Sequence, residues 1–296
     1  MNAMYPASIF RTRRLARWEL LLIPATLFLI TVFLIPLLTF FRQSFQSFAD
    51  MQVIPGWTFA TYMKFLRDPF YWQTVINSVY LGVLSTIFTL LTAYPAALIM
   101  AGKRGSPLFM IIGLACFFPL LMSVIVRAYG WQLVLSENGV VNFLLVRLGI
   151  VKEPIRLIFN WTGVIISIVH VEMPFMLFPI VTVLLQLPRE LSEAARDLGG
   201  NGFYTWRRVI LPLSLPGVLA GCQIVFTTSI SAFASPTILG GGRVRVMPVL
   251  IYQNILGLNW PLGAVMSIVL LILSLVLVTI FSRLLRTRGL WTGRST

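Results

Sequence analysis

Apolar residues along this chain come in blocks of membrane length, with polar residues collected between them. The first block, Leu20 to Phe41, is interrupted by Pro24 and Pro36. It is too long for a signal-peptide core and lacks a small-residue cleavage site, so it predicts a retained first span. The second, Thr74 to Ala101, stops at Lys103-Arg104 and places Ala93, Ala97 and Ala101 at four-residue spacing. Small residues at that spacing predict a close helix-packing face. A third block, Pro107 to Val126, contains Pro119 and ends near Arg127. The fourth covers Trp161 to Leu187, the fifth Pro212 to Ser235 and the sixth Leu262 to Leu285. At about 20 residues per crossing, the pattern predicts an all-α membrane protein of about six transmembrane helices. The chain then divides into a basic tail over residues 1–18, a six-helix domain over 19–286 and a second tail over 287–296.

Between the blocks, residues 42–72 are mixed and carry Trp57, Tyr62, Tyr71 and Trp72, which suits an interfacial segment. Residues 128–160 form the longest connection, with a turn at Glu137-Asn138-Gly139 and a short interfacial helix predicted over Val140 to Leu148. A glycine-rich turn, Gly240-Gly241-Gly242, follows the fifth block. The connection over 188–211 differs from these. Pro188 suits a first helical turn and Gly199-Gly200 a C-terminal stop. Asn201 then caps a second helical piece that ends at Pro212. The predicted result is a polar helix, a glycine corner and another short helix just outside the bilayer. Ala194 and Ala195 beside Glu193 leave one side of the first helix almost without bulk, a surface another protein can approach closely. The plainer alternative is an amphipathic connector.

Composition agrees with the membrane class. The chain of 296 residues is 58% hydrophobic and 11% charged, with a mean hydropathy of +0.89, whereas soluble domains are roughly 25% charged. Its formal net charge of +14 raises the possibility of nucleic-acid binding. The basic residues, however, are spread over loops and termini with no patch interleaved with aromatics, and anionic headgroups account for them. Fourteen of the 23 Lys and Arg residues fall in the N-terminal tail, the 102–105 turn, the 187–211 segment and the C-terminal segment from Arg283, against nine in the other connections. The positive-inside rule therefore predicts both termini, and the 188–211 connection, in the cytoplasm.

Candidate chemistry lies inside the blocks. Glu172 is eleven residues into the fourth, about 16 Å deep at 1.5 Å per residue, near the middle of a hydrocarbon core about 30 Å thick. A carboxylate there is costly and should face a partner or a wet path. It is either a contact for an amino substrate, or a structural partner of an arginine such as Arg127, or a carboxyl kept protonated. His170, two residues away, faces nearly the opposite side and reads better as a hydrogen-bonded packing residue than as a path group. Gln223, Thr227, Ser231 and Ser235 recur every four residues; such a stripe lines an aqueous path or supplies interhelical hydrogen bonds. Gly217 and Gly221 form a small-residue motif for close helix contact, within the chain or across a dimer.

Several functions are excluded. There is no G-x-x-x-x-G-K-[ST] phosphate loop and no G-x-S-x-G elbow. One histidine, with Cys116 and Cys222 inside apolar blocks, makes neither a metal cluster nor a disulfide framework. The chain reads as a non-catalytic transporter without a cofactor or metal of its own. One rival is a stand-alone secondary transporter using Glu172 as a proton or ion relay. Such proteins show internal repeats and matching broken helices, which this sequence does not display.

Glu193-Ala194-Ala195, three residues, Gly199, nine residues, then Val209-Ile210-Leu211-Pro212 resembles the EAA loop of ABC importer permeases. Val209 stands where isoleucine is usual, which keeps the β-branch. Arg127-Ala128-Tyr129-Gly130-Trp131, Glu153-Pro154-Ile155-Arg156, Met173-Pro174-Phe175-Met176 and Trp260-Pro261-Leu262-Gly263-Ala264 look like the spermidine/putrescine-type permeases, type I importer subunits with a MetI-like arrangement. The resemblance implies a multi-pass protein of the bacterial inner membrane that works with a second permease subunit, in a heterodimer, two copies of a cytoplasmic ATPase and an external substrate-binding protein. ATP and Mg would be bound by the ATPase. By the same implication Glu193, Ala194, Ala195, Asp197, Gly199, Leu211 and Pro212 form the ATPase-coupling site, with Pro212 marking the return to the membrane. The implied solute is a polyamine or related amino compound, its identity set mostly by the binding protein.

Overall fold

The computed structural model of the chain describes residues 17–188 and 190–287. The basic N-terminal tail up to residue 16, Arg189 within the 188–211 connection, and the C-terminal tail from residue 288 lie outside the described residues. Among the described residues the elements run α1 (Arg17–Gln43), β1 (Ser47–Ala49), β2 (Gln52–Ile54), α2 (Ala60–Arg67), α3 (Pro69–Gly102), α4 (Pro107–Phe117), α5 (Val124–Leu135) and α6 (Val140–Arg147). They continue with α7 (Trp161–Gln186), α8 (Glu190–Asp197), α9 (Gly202–Thr205), α10 (Leu211–Ile230), α11 (Ala234–Gly240), α12 (Met247–Leu256) and α13 (Trp260–Thr287). Among the described residues five helical stretches are long and apolar enough to cross a membrane, and a bent pair over 107–147, taken as one span, brings them to six.

The centre is a triangle of α3, α7 and α10, each packed against the other two. Local sequence starts the first two cleanly. Asp68 caps α3 by accepting from the Phe70 N–H, with Pro69 in the first turn, where its missing donor costs nothing. Asn160 caps α7 by accepting from the Gly163 N–H at 3.1 Å. Ala93 and Ala97, both fully buried, let α3 lie close to Met176, Ile180 and Val225. The small-residue face predicted for the second block is therefore the core of the bundle. Gly217 and Gly221 of α10 press on α7 of the same chain: a Cβ at Gly217 would lie 2.7 Å from the Pro179 carbonyl oxygen. Two further clusters flank this centre. Phe65, Tyr71, Met247 and Met266 join α2, α3, α12 and α13, and Leu81, Leu135, Ile168 and Leu239 join α3, α5, α7 and α11.

By contrast, α1 presents exposed Leu, Ile and Phe side chains from Leu22 to Phe41 and meets the body edge-on at Phe40–Trp260, ring centroids 6.3 Å apart. In hydrocarbon such a surface needs no protein cover, because lipid tails are as apolar as leucine.

Three elements depart from the sequence expectation. The third block is not one straight span: α4 runs into a 3₁₀ turn over Phe118–Leu121, and the chain then bends by 109° before α5. Pro119 lies in that turn and has no N–H with which to continue a helix. The fifth span ends at Ile230, five residues before Ser235, and α11 is a separate short helix. Residues 42–72 hold an antiparallel hairpin that pairs Ala49 with Gln52. Its two-residue loop, Asp50-Met51, has φ of 50° and 59°, the left-handed geometry that matches strand twist.

Candidate functional site

The connection between α7 and α10 projects from the bundle. No residue of α8 is buried, and Leu198 just beyond it is 90% exposed. Glu190 and Glu193 occupy its first turn and Arg196 its last, the arrangement that complements the helix dipole. The chain then turns sharply at Gly199, where φ is +83°. The Gly199 N–H donates to the Arg196 carbonyl at 2.8 Å and the Gly200 N–H to the Ala195 carbonyl at 3.0 Å. This paired closure is the Schellman stop that needs glycine at its left-handed position. Asn201 Oδ1 accepts from the Tyr204 N–H at 2.8 Å and starts the next helix, as the sequence predicts.

That second helix does not end at Pro212. It passes from α9 through a π turn over Trp206–Ile210 directly into α10. The Leu211 N–H reaches back five residues to the Trp206 carbonyl. A proline ring at position 212 would crowd the carbonyl four residues earlier in a regular α-helix. Widening the turn removes that conflict, so Pro212 sits inside one continuous helical rod. Leu211 packs against the central cluster, while Glu193, Ala194, Asp197 and Gly199 are exposed and Ala195 half-buried. An aromatic brace, invisible in the motif, steadies the corner: Trp206 meets Phe203 at 5.6 Å and Tyr94 of α3 at 6.4 Å. Tyr94 in turn shares a 3.0 Å hydrogen bond with Ser214 of α10.

The second candidate lies inside the bundle. Glu172 of α7 is 6% exposed and its Oε2 accepts from the Thr228 hydroxyl of α10 at 2.7 Å. Arg127 is also 6% exposed and donates to the Pro119 carbonyl. The two charges line one cavity of about 190 Å³ together with Ser167, Thr228 and Ser235. Ser235 on α11 is hydrogen-bonded to Ser167 on α7 at 3.0 Å. The bend at Pro119 is what places Arg127 here. As the end of a straight span it would have stood outside the bundle.

The other sequence candidates separate from this cavity. His170 Nδ1 accepts from the Trp131 indole N–H at 3.1 Å, with the rings edge-on at 5.3 Å. It packs against Trp131 on the face of α7 away from Glu172. Gln223 and Thr227 share a helix face, and the Thr227 hydroxyl donates to the Gln223 carbonyl. Ser231 caps α10 and bonds back to the Thr227 carbonyl, and none of the three is among the residues that line the cavity. The four-residue stripe does not continue to Ser235, because the helix ends between them. Thr228, absent from the stripe, is the residue that meets Glu172.

The residues 20–288 match the family described as "binding-protein-dependent transport system inner membrane component". This chain belongs to that family. It is the permease subunit of an ABC importer, a multi-pass inner-membrane component of a kind that carries no catalytic site; the ATPase activity of such systems lies in a separate subunit. Curated relatives include the spermidine/putrescine transport system permease protein PotB of Haemophilus influenzae, 35% identical over 223 residues, covering 74% of this chain and 76% of that one. PotB of Escherichia coli is 32% identical over 221 residues, covering 74% and 79%. Among solved structures, a bacterial ABC transporter involved in the import of the acidic polysaccharide alginate superposes with a TM-score of 0.78 at 17% identity, over 92% of this chain and 96% of that one. That likeness shows the MetI-like permease fold expected from the sequence.

Proposed function

We propose that this permease forms half of the translocation path for a small amino solute of the polyamine class, delivered by an external binding protein. A cytoplasmic ATPase drives the path through α8. The observation that carries the coupling role is the placement of α8: an exposed, amphipathic helix, held by a Schellman corner, joined at one end to α7 and at the other to the continuous rod α9–α10. These are two of the three central helices, so force applied at α8 acts on the core. Residues Glu193, Ala194, Ala195, Asp197, Gly199, Leu211 and Pro212 divide this work. The first four present or border the contact surface, Gly199 makes the corner, and Leu211 with Pro212 anchors and shapes the rod.

On this reading α8 and both chain ends lie in the cytoplasm, in line with the excess of Lys and Arg on that side. A second permease subunit completes the path, two ATPase copies bind ATP and Mg, and this chain binds neither. Closure of the ATPase pair draws the coupling helices together and swings α7 and α10. Docking of the binding protein favours the outward state only through its higher affinity for that state. The polyamine class is supported by the PotB relatives and by the buried carboxylate of Glu172. The test is uptake of radiolabelled putrescine into proteoliposomes holding the whole complex. Uptake should require ATP and the binding protein and be indifferent to proton or sodium gradients. Gradient-driven uptake without ATP would establish the secondary-transporter alternative with Glu172 as relay.

A further inference from the structure

Glu172 and Arg127 leave part of their bonding capacity facing the same space. Only Oε2 of Glu172 is taken, by Thr228. Arg127 spends one amino group on the Pro119 carbonyl, and its Nε is buried without a hydrogen-bond partner. Both side chains are more than nine-tenths buried and line one cavity, and no ion pair joins them among the described residues. An uncompensated buried charge costs several kcal/mol, so each of these two groups favours a partner of opposite sign within the cavity. The elements that carry them differ in attachment. Glu172 and Thr228 sit on α7 and α10, the helices joined to the projecting connection, whereas Arg127 sits on α5 beyond the 109° bend. Movement of α7 and α10 relative to α5 therefore changes the separation of the charges.

We propose that Glu172 receives an ammonium group of the solute and that Arg127 is its exchangeable counter-ion. An amine entering the cavity takes the free oxygen of Glu172, and approach of Arg127 as α7 and α10 move against α5 competes for that oxygen and expels the amine. Ser167 and Ser235, hydrogen-bonded to each other, line the same cavity. A lone carboxylate in this setting would hold an amine too long, and a tethered guanidinium that competes for it keeps binding weak enough for release, the general condition for conduction. The inference rests on the amino-solute reading above and names the residues that would serve it.

The test uses the whole complex in proteoliposomes, with Cys116→Ala and Cys222→Ala and a reporter Ala232→Cys in the cavity wall. Reaction of the reporter with a small methanethiosulfonate is followed during turnover, with putrescine or γ-aminobutyrate as protecting probe. Putrescine should slow the reaction, and Glu172→Gln should weaken that protection about tenfold, the loss of one charge-assisted hydrogen bond. Arg127→Gln should strengthen protection and slow turnover, which loss of a merely structural arginine would not do. Protection by putrescine that survives Glu172→Gln overturns the assignment. So does protection by γ-aminobutyrate alone, which would make the two charges a zwitterion site, and so does a reporter that never reacts while uptake proceeds. Putrescine uptake by the parent complex is measured in the same vesicles; its absence would overturn the polyamine reading as well, and so marks that failure apart from failure at Glu172.

Discussion

The two glycines of the G-x-x-x-G motif in α10 should not be equivalent. An added Cβ at Gly217 would lie 2.7 Å from the Pro179 carbonyl oxygen and 3.0 Å from the Ile180 Cα. Both are backbone atoms of α7, so relief requires the helices to separate. At Gly221 the closest atom is the Met176 sulfur at 2.7 Å, the far end of a flexible side chain, with the Met176 carbonyl oxygen next at 3.1 Å. Alanine gains about 0.5–1 kcal/mol of helix preference at either position. Overpacking costs about 1–3 kcal/mol, the upper part of that range where only backbone can yield. Gly217→Ala should therefore be destabilising by about 1–2 kcal/mol net, and Gly221→Ala close to neutral. Thermal unfolding of the purified complex in detergent, followed by size-exclusion chromatography, compares the two directly. Uptake should fall with Gly217→Ala, because α7 and α10 are the helices that α8 must move together. Equal midpoints, or a larger loss at Gly221, would refute the assignment of this contact to the α7–α10 interface and reopen a dimer contact for the motif.

Gly199→Ala places a side chain at φ +83° and should weaken the Schellman corner by about 1 kcal/mol. Hydrogen exchange at the Gly200 amide, bonded to the Ala195 carbonyl, should quicken about fivefold; unchanged exchange would mean the corner is held by something else. Thr228→Val keeps the shape of the side chain but removes the donor to Glu172, so the complex should lose about 1.5–3 kcal/mol, visible as a lower unfolding midpoint. An unchanged midpoint would show that Glu172 draws no support from α10.

Much of this was legible in residues alone. Gly199, Asn201 and the alanine spacing in the second block each act through local geometry or helix periodicity, and the structure uses them as their chemistry dictates, while Glu193-Ala194-Ala195 falls on the exposed helix α8. What was not legible depends on where the chain goes after a break. Pro119 announced an interruption, but a sequence does not state the angle of the bend, and that angle carries Arg127 to Glu172. The polar stripe failed for a related reason: its spacing is helical, yet the helix stops at Ile230, so Ser235 arrives in the cavity from another element. Thr228 escaped notice because its neighbour Thr227 fitted the stripe better. At Pro212 the local rule, that proline ends a helix, lost to a π turn that absorbs it.

The most direct test is purification of the tagged chain from native membranes in mild detergent, with the accompanying proteins identified by mass spectrometry, for the parent and for Glu193→Lys. The coupling role of α8 predicts an ABC ATPase and a second permease with the parent chain. The ATPase should be lost from Glu193→Lys, while that variant stays folded and retains the permease partner. Recovery of the ATPase in equal amount with Glu193→Lys, together with unchanged uptake, would contradict it.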